Sequence, residues 1–186
     1  MNELDLMMHN FETFYASKEE SNSPFIVDII KMGKKIKEIK QLKDINVSIS
    51  LKYGKRVLMN AKDSDVRKID RKELLELVDY DPMKKVLLAI GPKQARIESP
   101  IHWFIHHSRE EVNAAIQIND EGLAEKYSKS LPTTEKEWPL GTFESIKEVL
   151  KALRNNKKIV IKNQGLLFVG ENIADLENDL LKTLVK

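Results

Sequence analysis

Polar and apolar positions along this chain switch between a helical and an extended period. Leu4, Met7, Met8, Phe11, Phe14 and Tyr15 recur at three- and four-residue intervals, the stripe of an amphipathic helix. That helix and a loop over Lys18 to Ser23 make an N-terminal appendage, residues 1–22. Its stripe packs on the body of the protein or on another subunit. Ser23-Pro24 then reads as a helix start, and Ile26, Ile29, Ile30, Gly33 and Ile36 keep the helical period.

The period then changes. Ile45, Val47, Ile49 and Leu51 alternate with Asn46, Ser48, Ser50 and Lys52, which predicts a half-buried strand. A turn at Tyr53-Gly54 leads into a second strand, Arg56 to Met59. Asp70 and Glu73 have capping-box spacing ahead of Leu74, Leu75, Leu77 and Val78, predicting a short helix. Val86 to Ile90 is a short apolar run closed by Gly91-Pro92, a buried strand. Ser99-Pro100 opens a helix with Ile101, Phe104 and Ile105 inward. Val112, Ala114, Ile116 and Ile118 alternate with polar or small residues, predicting another strand. Glu121 to Leu140 is polar and reads as a connecting excursion. Phe143, Ile146, Leu150 and Leu153 mark a helix. Ile159 to Ile161 and Leu166 to Val169 flank a tight turn at Asn163-Gln164-Gly165. Ile173, Leu176, Leu180 and Leu184 mark a last helix. Helices and hairpins without regular βαβ alternation predict an α+β domain over residues 23–186, its central sheet mainly antiparallel and flanked by helices.

Composition narrows the chemistry. The 186 residues hold no cysteine and four histidines, His9, His102, His106 and His107. Thiolate nucleophiles, disulfides and cysteine-bound metals are excluded. With 41% hydrophobic and 32% charged residues the chain can bury a core. A net charge of +2 does not call for nucleic acid. The basic run from Lys31 to Lys40 is threaded by Ile36 and Ile39 and reads as a solvated helix face. No run of about 18 apolar residues is present, so no membrane partner is expected. The acidic N-terminus lacks the pattern of a signal peptide, which points to the cytoplasm. Standard motifs are absent: GxxxxGK(S/T), GxGxxG, HExxH and GxSxG.

The densest group of chemically able residues runs from Arg96 to Asn119. Glu98, His102 and His106 fall at i, i+4 and i+8. Adjacent members could chelate a metal, but all three span about 12 Å of helix, too far for one ion. The other reading is that both histidines are hydrogen-bonded near the core or a subunit contact. Gln117 and Asn119, two apart on a strand, place two carboxamides on one face. They line a ligand site, or they form a polar sheet face or an interface. Arg96 either pairs with an anion through its guanidinium fork or is a surface residue.

Four stretches carry a resemblance to a known family. They are Asn46-Val47-Ser48-Ile49, Arg96-Ile97-Glu98-Ser99-Pro100-Ile101-His102, Glu111 to Asn119, and Gly141-Thr142-Phe143-Glu144 with Ile159 to Gly170. Over roughly residues 26 to 185 the chain resembles the class II aldolase/adducin head-domain family, which includes the fuculose-phosphate aldolases. The resemblance implies an αβα sandwich, a homo-oligomer (commonly a tetramer) and sugar-phosphate chemistry. It also implies a divalent metal, usually zinc, held by three histidines beside a carboxylate. Those histidine positions hold Gln117, Asn119 and Gln164, and Glu98 keeps the carboxylate position as the candidate catalytic residue. Asn46 keeps its place in the phosphate pocket, and Arg96 replaces one of a serine pair. Neutral amides cannot replace imidazoles at zinc, so no cofactor is expected, zinc or another divalent ion being the alternative.

The leading expectation is an aldolase-like chain without the zinc site, a non-catalytic or repurposed binder of a small polar or anionic, sugar-phosphate-like ligand. Asn46, Arg96, Gln117, Asn119 and Gln164 would contact the ligand. One alternative is an active aldolase, epimerase or dehydratase with a rewired site, a carbon–carbon lyase or sugar-phosphate isomerase. The other is a structural or interaction subunit.

Overall fold

A computed structural model describes residues 11–185. Eight strands form one sheet: β1 (Glu12–Ser17), β2 (Asn46–Tyr53), β3 (Arg56–Asn60), β4 (Leu74–Asp81), β5 (Val86–Ile90), β6 (Ala114–Asn119), β7 (Lys158–Ile161) and β8 (Gly165–Gly170). Their order is β1-β5-β4-β3-β2-β6-β8-β7. Only the β1–β5 pair is parallel among the described strands.

Five helices cover the two faces: α1 (Ile26–Glu38), α2 (Ser99–Ser108), α3 (Glu121–Tyr127), α4 (Phe143–Leu153) and α5 (Ile173–Leu184). On one face Ile29 and Ile36 of α1, Leu123 of α3 and Leu176 of α5 pack on Ile49, Ile116 and Phe168. On the other, Ile101 and Ile105 of α2 and Ile146 and Val149 of α4 pack on Met59, Leu75, Leu167 and Val169. The expected α+β sandwich with a mainly antiparallel sheet is present.

Several elements differ from the sequence expectation. Leu4, Met7 and Met8 lie outside the described residues. Glu12–Ser17, which carries Phe14 and Tyr15 of the expected helical stripe, is an edge strand paired with β5. Thr13, Phe14 and Tyr15 are β-branched or aromatic and suit an extended edge, with Thr13 and Tyr15 half-buried and Phe14 outward. This segment is therefore built into the sheet.

The Asp70/Glu73 capping box exists, with Asp70 Oδ1 accepting from Lys72 N at 2.9 Å. It caps only a 3-10 turn, Arg71–Glu73, and Leu74–Asp81 continues as a strand. Leu74 packs into one core, Leu75 and Leu77 into the other. A strand covered on both faces loses its alternation and imitates a helical run. The polar excursion after Asn119 holds α3, capped by Asp120 Oδ1 accepting from Leu123 N at 2.7 Å. Helix α1 begins at Ile26, two residues after the Ser23-Pro24 signal, because Ser23 Oγ caps Phe25 N at 3.2 Å instead.

A buried polar cluster beneath α2

The site follows from the pleat of two central strands. Val47, Ile49 and Leu51 of β2 and Ala114, Ile116 and Ile118 of β6 point to the α1 side. Asn46, Ser48, Ser50, Gln117 and Asn119 therefore point to the α2 side. The register sets Asn46 across from Asn119 and Ser48 across from Gln117.

Helix α2 answers with its own polar stripe. Glu98 caps it in helical conformation, and His102 N donates to Glu98 O at 3.1 Å. Glu98, His102 and His106 therefore share one face. Four helical residues rise about 6 Å and two strand residues about 6.6 Å, so the stripes match in step. Ser48 Oγ donates to Glu98 Oε1 at 3.2 Å. Ser50 Oγ lies 2.6 Å from His102 Nδ1 and 2.7 Å from His106 Nε2. His106 Nδ1 donates to Val112 O at 3.2 Å. Both imidazoles are buried, as the hydrogen-bonded reading of the pair expects. Burial pushes His102 down to about 3, the Arg96 charge adding to it. Burial likewise pushes His106 down to about 3, against the opposing bond to Val112.

Glu98 is 2% exposed, yet its Oε1 meets three donors. These are Ser48 Oγ, Asn119 Nδ2 and the Arg96 guanidinium, the last at 3.4 Å. Arg96 also donates to Asn46 Oδ1 at 2.5 Å and to Ala61 O at 3.2 Å. With 4% exposure it is an internal ion-pair partner, so the surface reading of Arg96 is set aside. Gln117 Nε2 donates to Asn119 Oδ1 at 2.9 Å.

Five of the six residues singled out from sequence thus form one hydrogen-bonded cluster: Asn46, Arg96, Glu98, Gln117 and Asn119. Gln164 does not join it, because its Nε2 donates to Trp138 O at 2.6 Å. Ser48 and Ser50 were missed. The available signal was their alternation with Val47, Ile49 and Leu51, which puts two hydroxyls on the face opposite the apolar one. Tyr127 donates to Thr183 O at 2.9 Å, tying α3 to α5.

Beside Arg96 a groove of about 210 Å³ is lined by Lys62, Ser64, Lys93 and Gln94, with Asp63 and Glu73. Among the described residues, no group of three or more His, Asp or Glu side chains is placed to hold a metal ion. None of the described helices is long and apolar enough to cross a membrane.

An L-fuculose 1-phosphate aldolase superposes with a TM-score of 0.74 at 16% identity, over 88% of this chain and 83% of that one. The fold is that of the class II aldolases. An L-fuculose-1-phosphate aldolase from Thermus thermophilus gives 0.64 at 16% identity, over 85% of this chain and 87% of that one. A sugar-phosphate aldolase from Thermotoga maritima gives 0.60 at 16%, over 86% and 93%. No protein-family model matches the sequence, and no curated protein matches it. At such identities the likeness is one of fold, and activity has to be argued from the cluster.

Proposed function

We propose that this chain is a class II aldolase-like protein without the zinc site, a non-catalytic or repurposed binder of a small polar, sugar-phosphate-like ligand. The observation that carries the reading is the Arg96–Glu98 pair. The resemblance implies a metal beside Glu98, and the residues present do not suit one. Glu98 Oε1 already accepts three hydrogen bonds, one from a guanidinium. A divalent ion there would meet the Arg96 charge. Asn119 Oδ1 is taken by Gln117. The three positions where the family keeps imidazoles hold neutral amides, weak ligands for zinc.

The ligand class rests on the fold neighbours, which include fuculose-phosphate and sugar-phosphate aldolases. The groove at Lys62, Ser64, Lys93 and Gln94 adjoins the cluster through the Arg96 bond to Ala61 O. It offers ammonium groups for an anionic arm, while Asn46 and the amide pair offer hydrogen bonds for hydroxyls. Self-association, as a tetramer, and a cytoplasmic location belong to the same proposal.

Thermal unfolding with a panel of ketose phosphates, with and without Zn²⁺, tests it. A ligand at about a hundred times its Kd adds about 2.7 kcal/mol. That corresponds to a rise in Tm of roughly 5–10 °C for a chain of this size. The rise is expected to be the same in chelator, with no turnover. Metal-dependent cleavage or epimerisation, lost in Glu98→Gln, would overturn the proposal.

A further inference from the structure

The two edges of the sheet are unlike. β7 is covered by the segment between α3 and α4: Val160 N donates to Pro132 O at 2.8 Å, Thr134 N to Val160 O at 3.0 Å and Lys162 N to Thr134 Oγ1 at 3.0 Å. β1 pairs with β5 on one side, and no described strand pairs with its other side. Toward β5, Glu12 N donates to Lys85 O at 2.8 Å, and Ser17 O accepts from Gly91 N at 3.0 Å. Backbone groups alternate in direction along a strand, so the N–H and C=O of Thr13 and Tyr15 point outward.

Free edges are commonly blunted by proline, by lysine or by shortness. β1 is six residues long, and Thr13 to Ser17 carries neither a charge nor a proline. Its α1-side face is bare as well. Phe14 is 51% exposed, its register neighbour Leu88 is half-buried, and so are Val86 and Ile90 on the same face of β5. None of the four joins either core. An open ladder and an exposed apolar face thus meet at one end of the sheet.

We propose that β1 pairs antiparallel with β1 of a second copy, about a two-fold axis at Phe14. This gives the self-association proposed above its surface, and it rests on that reading. The symmetry sets each residue across from the one equally far from the axis in the other copy. Thr13 then faces Tyr15 of the second copy, and Tyr15 faces its Thr13. Both are outward residues, so each pair exchanges two hydrogen bonds. Phe14 meets its own copy in the closer, non-hydrogen-bonded kind of pair, with Cα atoms about 4.5 Å apart, which covers the exposed ring. Glu12, the one charge of the strand, stands across from Ala16 rather than another carboxylate, with Lys18 the next charge along. An axis at Tyr15 would instead draw in the irregular step between Tyr15 and Ser17. Six residues a side, against about 20–30 in a stable interface, make this a reversible contact that forms as concentration rises.

Sedimentation equilibrium of the intact protein over a wide range of concentration, with Thr13→Pro and Phe14→Lys alongside, tests the surface. Thr13→Pro removes an outward donor and leaves the ladder to β5 in place. The pair loses two of its four hydrogen bonds, and the dissociation constant is expected to rise about thirtyfold. Phe14→Lys sets two ammonium groups face to face and is expected to halve the assembled mass. Amide exchange reads the same contact independently. The Thr13 and Tyr15 amides are expected to be protected in the assembled protein and to exchange freely on dilution. Assembly unchanged in both variants, or these two amides unprotected within it, would overturn the surface and leave self-association standing. A wild type that stays monomeric would overturn both, and protected Thr13 and Tyr15 amides in that monomer would show that another segment of the chain covers the edge. The ligand reading of the cluster stands apart from all of these outcomes.

Discussion

Replacing Arg96 by methionine keeps most of the stem volume and removes the charge. Three acceptors lose a donor: Glu98 Oε1, Asn46 Oδ1 and Ala61 O. At 3.4 Å and an effective dielectric of about 20, the attraction of two unit charges is about 5 kcal/mol, much of it offset by desolvation. Breaking such a pair leaves Glu98, 2% exposed, without a counter-charge, at a cost of about 3–5 kcal/mol. For a chain of this size the loss lowers Tm by roughly 10 °C. Glu98→Gln removes the same pair from the other side. If the ion pair holds the cluster together, the double variant is less destabilised than the sum of the singles, with a coupling of about 2 kcal/mol. Urea unfolding of wild type, both single variants and the double variant, analysed at constant slope, measures it. Single effects that add within about 0.5 kcal/mol, or an Arg96→Met cost below about 1 kcal/mol, would refute the reasoning.

Three further outcomes follow from the same geometry. His102 and His106 are depressed to about 3 when folded and titrate near 6.5 when unfolded. The unfolded chain therefore binds more protons between these values, and stability is lost as pH falls from about 6.5 toward 3, by roughly 1 kcal/mol per pH unit from each ring. Tm against pH reads this, and a flat profile from 6.5 to 4.5 contradicts it. Ser50→Ala strips a partner from both buried rings and is expected to cost about 2–4 kcal/mol in urea unfolding, against under 1 for a merely space-filling serine. Gly33→Ala in α1 would stabilise by about 1 kcal/mol if helix propensity ruled. A Cβ there would lie 1.9 Å from Val66 O, so a loss of Tm is expected and a gain would show that the contact yields easily.

How far the sequence foretold this depended on how many faces an element buries. β2 and β6 each keep a polar side, and their alternation announced them. β4 buries Leu74 on one side and Leu75 and Leu77 on the other, so these leucines carried no period that separates strand from helix. Glu12–Ser17 is an edge strand, and its aromatics fit a helical stripe as readily as an extended one. The shared face of Glu98, His102 and His106 was readable from spacing alone. That this face meets Ser48 and Ser50 was not, because which helix packs on which strand is a tertiary fact. Arg96 likewise offers five N–H donors in any sequence, and only the fold shows that Glu98, Asn46 and Ala61 O meet its two terminal nitrogens. Gln164 matched a family position, yet its side chain donates to Trp138 O and stays outside the cluster.

Elemental analysis of the protein purified without chelator tests the central claim most directly. Glu98 beside Arg96, with amides at positions 117, 119 and 164, predicts no stoichiometric zinc and an unfolding curve that neither Zn²⁺ nor chelator moves. One zinc per chain, lost in Glu98→Gln or in Gln117→Leu, would contradict it.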